Sequence, residues 1–186
     1  MKDSQRLKYK KWTKDDIDAM VKGLNNPKMA RFLGTAYPFT EKDAENYINS
    51  RHIDPKRLKQ LVLERYAICL KETDEIIGGV CMGFEKLSKK IVYGKIWINE
   101  EHQDKGYGAE AFDARNAYYF NELGFLAVRA AFDHGNVDSQ KMQERVGFRA
   151  IETKEDKGKT FTLMGITKED WLKQRQDSGS AIKGKG

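Results

Sequence analysis

The chain is poor in cysteine, histidine and long apolar runs. Its 186 residues include two cysteines and three histidines. Cys69 and Cys81 sit inside apolar runs that read as strands, without metal-ligand spacing, so buried free thiols are expected. His52 and His102 read as surface residues, and no metal site is expected. No apolar run is long enough to span a bilayer. Met1 to Arg6 lacks the apolar core of a signal peptide. A cytoplasmic protein is therefore expected.

The composition is that of one very soluble domain. Hydrophobic residues make up 39% and charged residues 33%, with a mean hydropathy of -0.74. A length of 186 residues suits one domain, expected over 1–175. The Ser-, Gly- and Lys-rich residues 176–186 read as a disordered tail. The net charge of +6 and pI of 9.1 suit an anionic ligand such as a nucleotide phosphate. The lysines are spread along the chain. A nucleic-acid footprint would need clustered Lys and Arg with exposed aromatics, and no such cluster stands out before the tail.

Local signals give the element order. Leu7 and Tyr9 start an alternating strand ending at Trp12. Thr13 to Asp16 resembles a capping box, followed by Ile17, Met20, Val21 and Leu24 at helical spacing. Asn25-Asn26-Pro27 stops that helix, and Met29 to Leu33 predicts a short helical turn. Thr40 to Asp43 starts another helix. Arg51 to Arg57, with Pro55, is a basic connection. Strands follow at Tyr66 to Leu70, Ile76 to Phe84 and Ile91 to Asn99, with a polar turn at Leu87 to Lys90. Gly78, Gly79 and Gly83 predict a bulge or a close backbone approach in the middle strand. A helix after Gly108 stops at Gly124. A strand over Phe125 to Phe132 alternates through Leu126, Val128, Ala130 and Phe132. A short helix then ends near Gly147. Phe148 to Thr153 and Thr160 to Ile166 form a hairpin across Lys154 to Lys159. A last short helix holds Trp171 and Leu172. This is an α/β chain with a mixed sheet. A crossover around Gly106 makes the two strands beside it parallel.

The stretch Trp97 to Ala111 reads as strand, polar loop, helix. Its loop, Gln103-Asp104-Lys105-Gly106-Tyr107-Gly108, is Q-x-x-G-x-G. The unpaired N–H groups and dipole of a helix start make a socket for phosphate, although such glycines also occur in a plain tight turn. The spacing is neither that of a dinucleotide fingerprint nor that of a Walker loop. Beyond the next strand come Asn136-Val137-Asp138-Ser139 and then Arg145-Val146-Gly147-Phe148.

With these segments the chain resembles the GNAT superfamily of acyl-coenzyme A N-acyltransferases. That family pairs [Q/R]-x-x-G-x-[G/A] with N-x-x-[S/A] and a downstream [K/R]-x-G-F. The two acids before Gln103, the Thr13 helix start, Asn26-Pro27, Pro38 to Asp43 and Gly165 to Trp171 look like the branch of ribosomal-protein N-terminal acetyltransferases. The resemblance covers roughly residues 7 to 172.

The resemblance implies a single GNAT-like domain with a central, mostly antiparallel sheet flanked by helices. It implies a V-shaped split between the strands ending near Asn99 and Phe132. Acetyl-CoA is the implied acyl donor, and its pantetheine arm pairs with the first of those strands. The implied cofactor-binding residues are Trp97, Ile98, Asn99, Gln103, Asp104, Lys105, Gly106, Tyr107, Gly108, Ala109, Asn136, Ser139 and Arg145. A backbone N–H within Trp97 to Asn99 holds the oxyanion. Ser139 stands near the sulfur, Lys105 adds charge at the loop, and Arg145 or Lys141 reaches the adenosine phosphates. Many relatives carry Tyr two residues before the basic residue of the third motif; Gln143 stands there instead. Asp133 and His134 are the candidate bases, His134 having a pKa range suited to proton transfer. Glu64 is an acid that reads as solvated. Tyr37 and Phe39 are expected on the acceptor side. A protein N-terminus, a polyamine or another small amine fits as acceptor, and a homodimer is compatible. The missing Tyr leaves a second reading, a binding module that holds acetyl-CoA without efficient turnover.

Overall fold

The computed structural model describes residues 1–49, 61–85, 90–156 and 158–183. The Arg51 to Arg57 connection with His52, the turn at residues 87–89, Lys157 and the last three residues lie outside that set. The chain forms two compact units, Met1–Ala114 and Arg115–Gly186.

In the first unit, β1 (Leu7–Lys11), β2 (Leu61–Leu70), β3 (Ile76–Glu85) and β4 (Lys90–Ile98) form one antiparallel sheet in that order. Between β1 and β2 come α1 (Ile17–Leu24), α2 (Pro27–Leu33) and α3 (Glu41–Asn49). The helix starts follow their local chemistry. Thr13 N–H and Oγ1 both donate to Asp16 Oδ2 at 2.9 Å, a capping box leading through one tight turn into α1. Asn26 Oδ1 accepts from Lys28 and Met29, and Pro27 takes the first position of α2, where no N–H is needed. Gly34, at φ 63°, ends that helix.

The core of this unit joins Trp12, Met20, Leu24, Phe39, Ala44, Ala67, Cys69 and Trp97. The rings of Trp12 and Trp97 stack at 6.1 Å. A Cβ on Gly79 would lie 2.2 Å from the Trp97 ring, so the glycines of β3 do mark a close approach. The β3–β4 register also shifts at Gly83/Phe84. Cys69 and Cys81 are buried free thiols, and burial pushes both above the ordinary thiol range.

The helix α4 (Tyr107–Ala117) begins in the first unit and ends in the second, running into a wide π-helical turn at Tyr118–Glu122. The second unit continues with β5 (Ala127–Asp133), α5 (Val137–Arg145), β6 (Arg149–Asp156), β7 (Lys159–Thr167) and α6 (Lys168–Lys183). Its sheet order is β5-β7-β6, again antiparallel. Tyr119 packs on Phe125 and Phe120 on Trp171, with ring centroids 5.0 and 5.2 Å apart.

Four expectations change. The strands form two sheets, and β4 and β5 belong to different ones, so the expected parallel pair is not a ladder of either. β2 begins at Leu61 rather than Tyr66, because its register with β3 continues from Tyr66↔Val80 to Leu61↔Glu85. Leu126 precedes β5 and is 79% exposed, whereas Val128 and Phe132 are buried. Finally, α6 continues past Gln176 to Lys183, since nothing after the Thr167–Asp170 cap includes a proline to break it.

Candidate active site

Among the described residues β4 is the last strand of its sheet, and one of its edges carries no ladder. Asn99 N–H donates to Ile77 O at 2.8 Å, extending the register Gly78↔Ile98 and Gly79↔Trp97. Bonded and non-bonded pairs alternate along an antiparallel ladder. Asn99 and Trp97 therefore spend their N–H groups on β3. Ile98, between them, turns its N–H and C=O away from β3. Gln103 Nε2 takes the Ile98 carbonyl at 2.8 Å. Of the three residues expected to hold a backbone donor, alternation selects Ile98. The Trp97 and Asn99 side chains are buried, and the absent Cβ of Gly23 makes room for Asn99.

After Asn99 a single tight turn, Glu100–His102, leads to the glycine loop. Asp104 (φ 58°) and Gly106 (φ 81°) both adopt left-handed backbone, a region open to glycine and tolerated by Asp. The first bond of α4 runs from Glu110 N–H to Gly106 O at 3.1 Å. The N–H groups of Tyr107, Gly108 and Ala109 precede it and stand at the mouth of the helix. This mouth suits an anion. Lys105, expected to add charge, donates from Nζ to the Glu101 carbonyl at 2.8 Å.

The loop's main support lies outside the motif. Arg6 donates from its backbone N–H to Glu110 Oε1 at 2.6 Å and from Nε to Oε2 at 2.8 Å. Its Nη1 donates to Lys105 O at 3.1 Å, and the guanidinium lies 4.4 Å above the Tyr107 ring. Ser4 Oγ adds a bond to Glu110 Oε1 at 2.7 Å. Burial alone would raise the Glu110 pKa. The bonds from the Arg6 amide, Ser4 and the guanidinium outweigh it and hold the carboxyl below its ordinary 4.5. Sequence spacing held no signal for this clamp, because its two ends lie 104 residues apart.

His102, expected at the surface, is buried, with Nε2 3.2 Å from Glu75 Oε1. The tight turn after β4 brings it beside the β2–β3 turn. Phe39, expected at the acceptor side, is a core residue 4% exposed, whereas Tyr37 is 58% exposed. Glu64 accepts from Tyr66 Oη at 2.7 Å.

In the second unit the expected residues gather between the end of β5 and α5. Asp133 Oδ1 accepts from Gly135 N–H at 2.8 Å, and Oδ2 lies 4.0 Å from Lys159 Nζ. His134 is exposed, stacks on Phe132 and places Nε2 2.7 Å from Thr162 Oγ1. Asn136 caps α5, its Oδ1 accepting from Ser139 N–H at 3.1 Å. Ser139 Oγ accepts from Gln143 Nε2 at 3.2 Å. Lys141 and Arg145 are exposed on α5.

Comparison with known proteins gives the class. The family model described as an acetyltransferase (GNAT) domain matches residues 6–149. An uncharacterized N-acetyltransferase, YnaD of Bacillus subtilis, is 24% identical over 147 residues, which cover 78% of this chain and 81% of YnaD. A GNAT-family acetyltransferase from Bacillus anthracis superposes with a TM-score of 0.74 at 18% identity, covering 89% of this chain and 97% of that one. The spermidine N-acetyltransferase of Vibrio cholerae, solved with CoA and spermine, gives 0.72 at 16% identity, covering 90% and 98%. The chain belongs to the GNAT family of acetyl-CoA-dependent acetyltransferases.

Proposed function

We propose that the protein moves an acetyl group from acetyl-CoA to a primary amine, either a protein N-terminus or a small amine. The observation that carries this reading is the end of β4. An outward backbone donor at Ile98 is followed, within one short loop, by a helix mouth that offers three amides. The residues fit the donor's chemistry. The open edge of β4 suits an extended amide chain that adds as a strand. The amides of Tyr107 to Ala109 suit a pyrophosphate, with glycine at 106 letting the backbone come close.

Each group has one task. The Ile98 N–H holds the oxyanion that develops as the amine attacks the thioester carbonyl. Asn136, with Oδ1 committed to its cap, keeps Nδ2 for the amide-bearing arm. Lys141 and Arg145 supply charge for the outer phosphates. Ser139 supports the departing sulfur. Asp133 is held by Gly135 and Lys159, so His134 is assigned the ammonium proton. Tyr37 contributes to the acceptor side.

Two measurements test the reading. Millimolar acetyl-CoA should raise the melting temperature, because a ligand that binds only the folded state stabilises it. A free-thiol assay over polyamines, other small amines and N-terminal peptides should then detect CoA release with at least one class. No thermal shift would remove the cofactor assignment. A shift with silence across the panel would favour the binding module over the enzyme.

A further inference from the structure

Gln143 is a polar residue in a buried place. It is 2% exposed on α5, one turn after the half-buried Ser139. Its Nε2 donates to Ser139 Oγ at 3.2 Å, and its Oε1 has no hydrogen-bond partner among the described residues. A buried acceptor without a partner is costly, and an apolar side chain of the same length would avoid that cost. The carboxamide is kept here against its own solvation preference, with its N–H on a hydroxyl that the acetyl-transfer reading places beside sulfur.

The direction of that bond matters. A serine hydroxyl has one proton and two lone pairs. When Gln143 occupies a lone pair of Ser139, the hydroxyl proton is left to point elsewhere. In the opposite sense the proton would be spent on Gln143, and a lone pair would face the departing sulfur. A thiol pKa near 8.5 means that the sulfur can leave as thiolate. It needs a hydrogen bond rather than a full proton transfer. The C–N bond forms, the C–S bond breaks and the electron pair stays on sulfur. The amine proton goes to the base or to water, and Ser139 keeps its own. A carboxamide cannot act as an acid itself, so Gln143 acts through Ser139.

We propose that Gln143 is a positioning residue that holds Ser139 as an acceptor, so that the Ser139 O–H is aimed at the leaving sulfur. The proposal rests on the acetyl-transfer role given to Ser139. It assigns the helix position two residues before Arg145, where many members of the resembled family carry Tyr, to an indirect donor.

The test compares wild type with Ser139→Ala, Gln143→Met, Gln143→Glu and the double variant Ser139→Ala/Gln143→Met. Gln143→Met should keep or raise the melting temperature, leave KM for acetyl-CoA unchanged and lower kcat about tenfold, the equivalent of one modest hydrogen bond. The double variant should be no slower than Ser139→Ala alone. Gln143→Glu gives the sharpest readout. Protonated, the introduced carboxyl donates to Ser139 as the carboxamide does; ionised, it only accepts and reclaims the hydroxyl proton. The kcat of this variant should therefore fall, relative to wild type, as pH rises through the titration of that carboxyl. A Gln143→Glu profile parallel to wild type would overturn the proposal. So would full activity in Ser139→Ala, or additive losses in the double variant. Side-chain amide NMR works without turnover: the Gln143 NH2 signal should be protected from exchange and should move in Ser139→Ala, and an unmoved signal overturns the proposal. Absence of thiol release by wild type across the amine panel would instead count against the acetyl-transfer reading and leave the NMR result standing.

Discussion

Two loops present the proposed site residues, and their helix starts are held in different ways. The loop from Gln103 to Ala109 is held from far along the chain, by Arg6 and Ser4 acting on Glu110 and Lys105. The loop from Asp133 to Ser139 is capped by its neighbours, through Gly135 on Asp133 and Ser139 on Asn136, while Asp133 and His134 also reach β7 at Lys159 and Thr162. On the proposed reading the first stays open for an anion. Its left-handed residues and outward amides are unfavourable alone, so a distant clamp must stabilise them. The second is a helix start that any Asn cap could form. A motif that resembles one from a known family can therefore rest on very different supports.

Gly106→Glu should have the largest effect. It puts a side chain into left-handed backbone and a carboxylate at the mouth of α4. The expected result is loss of the acetyl-CoA thermal shift. A retained shift would mean that this loop is not the anion site.

Arg6→Ala comes next and tests the long-range clamp directly. A charge-assisted bond contributes about 1.5–3 kcal/mol, so KM for acetyl-CoA should rise roughly tenfold or more, with a lower melting temperature. An unchanged KM would erase the contrast between the loops.

Acid should dissolve the same clamp. The Glu110 carboxyl lies below its ordinary 4.5 in the folded state, so its stabilisation is present above that pH. It is lost as pH falls through the folded value. Burial works against ionisation of Asp16 too, and its bonds to Lys10 and Thr13 outweigh it and lower its pKa, giving the same sign. The melting temperature should hold from neutrality to about pH 5 and drop below it. Glu110→Gln should show a shallower drop, and an equal drop would mean that other carboxylates carry the acid limb.

The smallest effect is expected from Asn136→Ala. Loss of a helix cap costs about 1 kcal/mol, or roughly 2–4 °C in a chain of this size. A much larger fall would show that the start of α5 is held by more than its local cap.

The sequence was most legible where bonds are short-range. The Thr13–Asp16 box, the Asn26-Pro27 start and the Gly78-Gly79 approach to Trp97 follow from residues close together or from a missing side chain. So does the order of motifs that marks the family. Side-chain placement was less legible. His102 looked polar and therefore exposed, yet it is buried against Glu75. Phe39 looked like a loop aromatic facing an acceptor, yet it fills the core beside Trp12 and Trp97. Gln143 could be read as a missing tyrosine. Only its burial and its bond to Ser139 suggest what stands in for that tyrosine.

By itself the sequence determined the elements, their caps and the family, because helix starts, turns and glycine positions depend on neighbours within a few residues. Tertiary structure decided how the strands sort into two sheets. It decided that Ile98, rather than Trp97 or Asn99, turns its N–H to the open edge, since that depends on ladder register with β3. It also decided that Arg6 and Glu110 hold the glycine loop, a contact that a chain forms only once β1 and α4 are brought together.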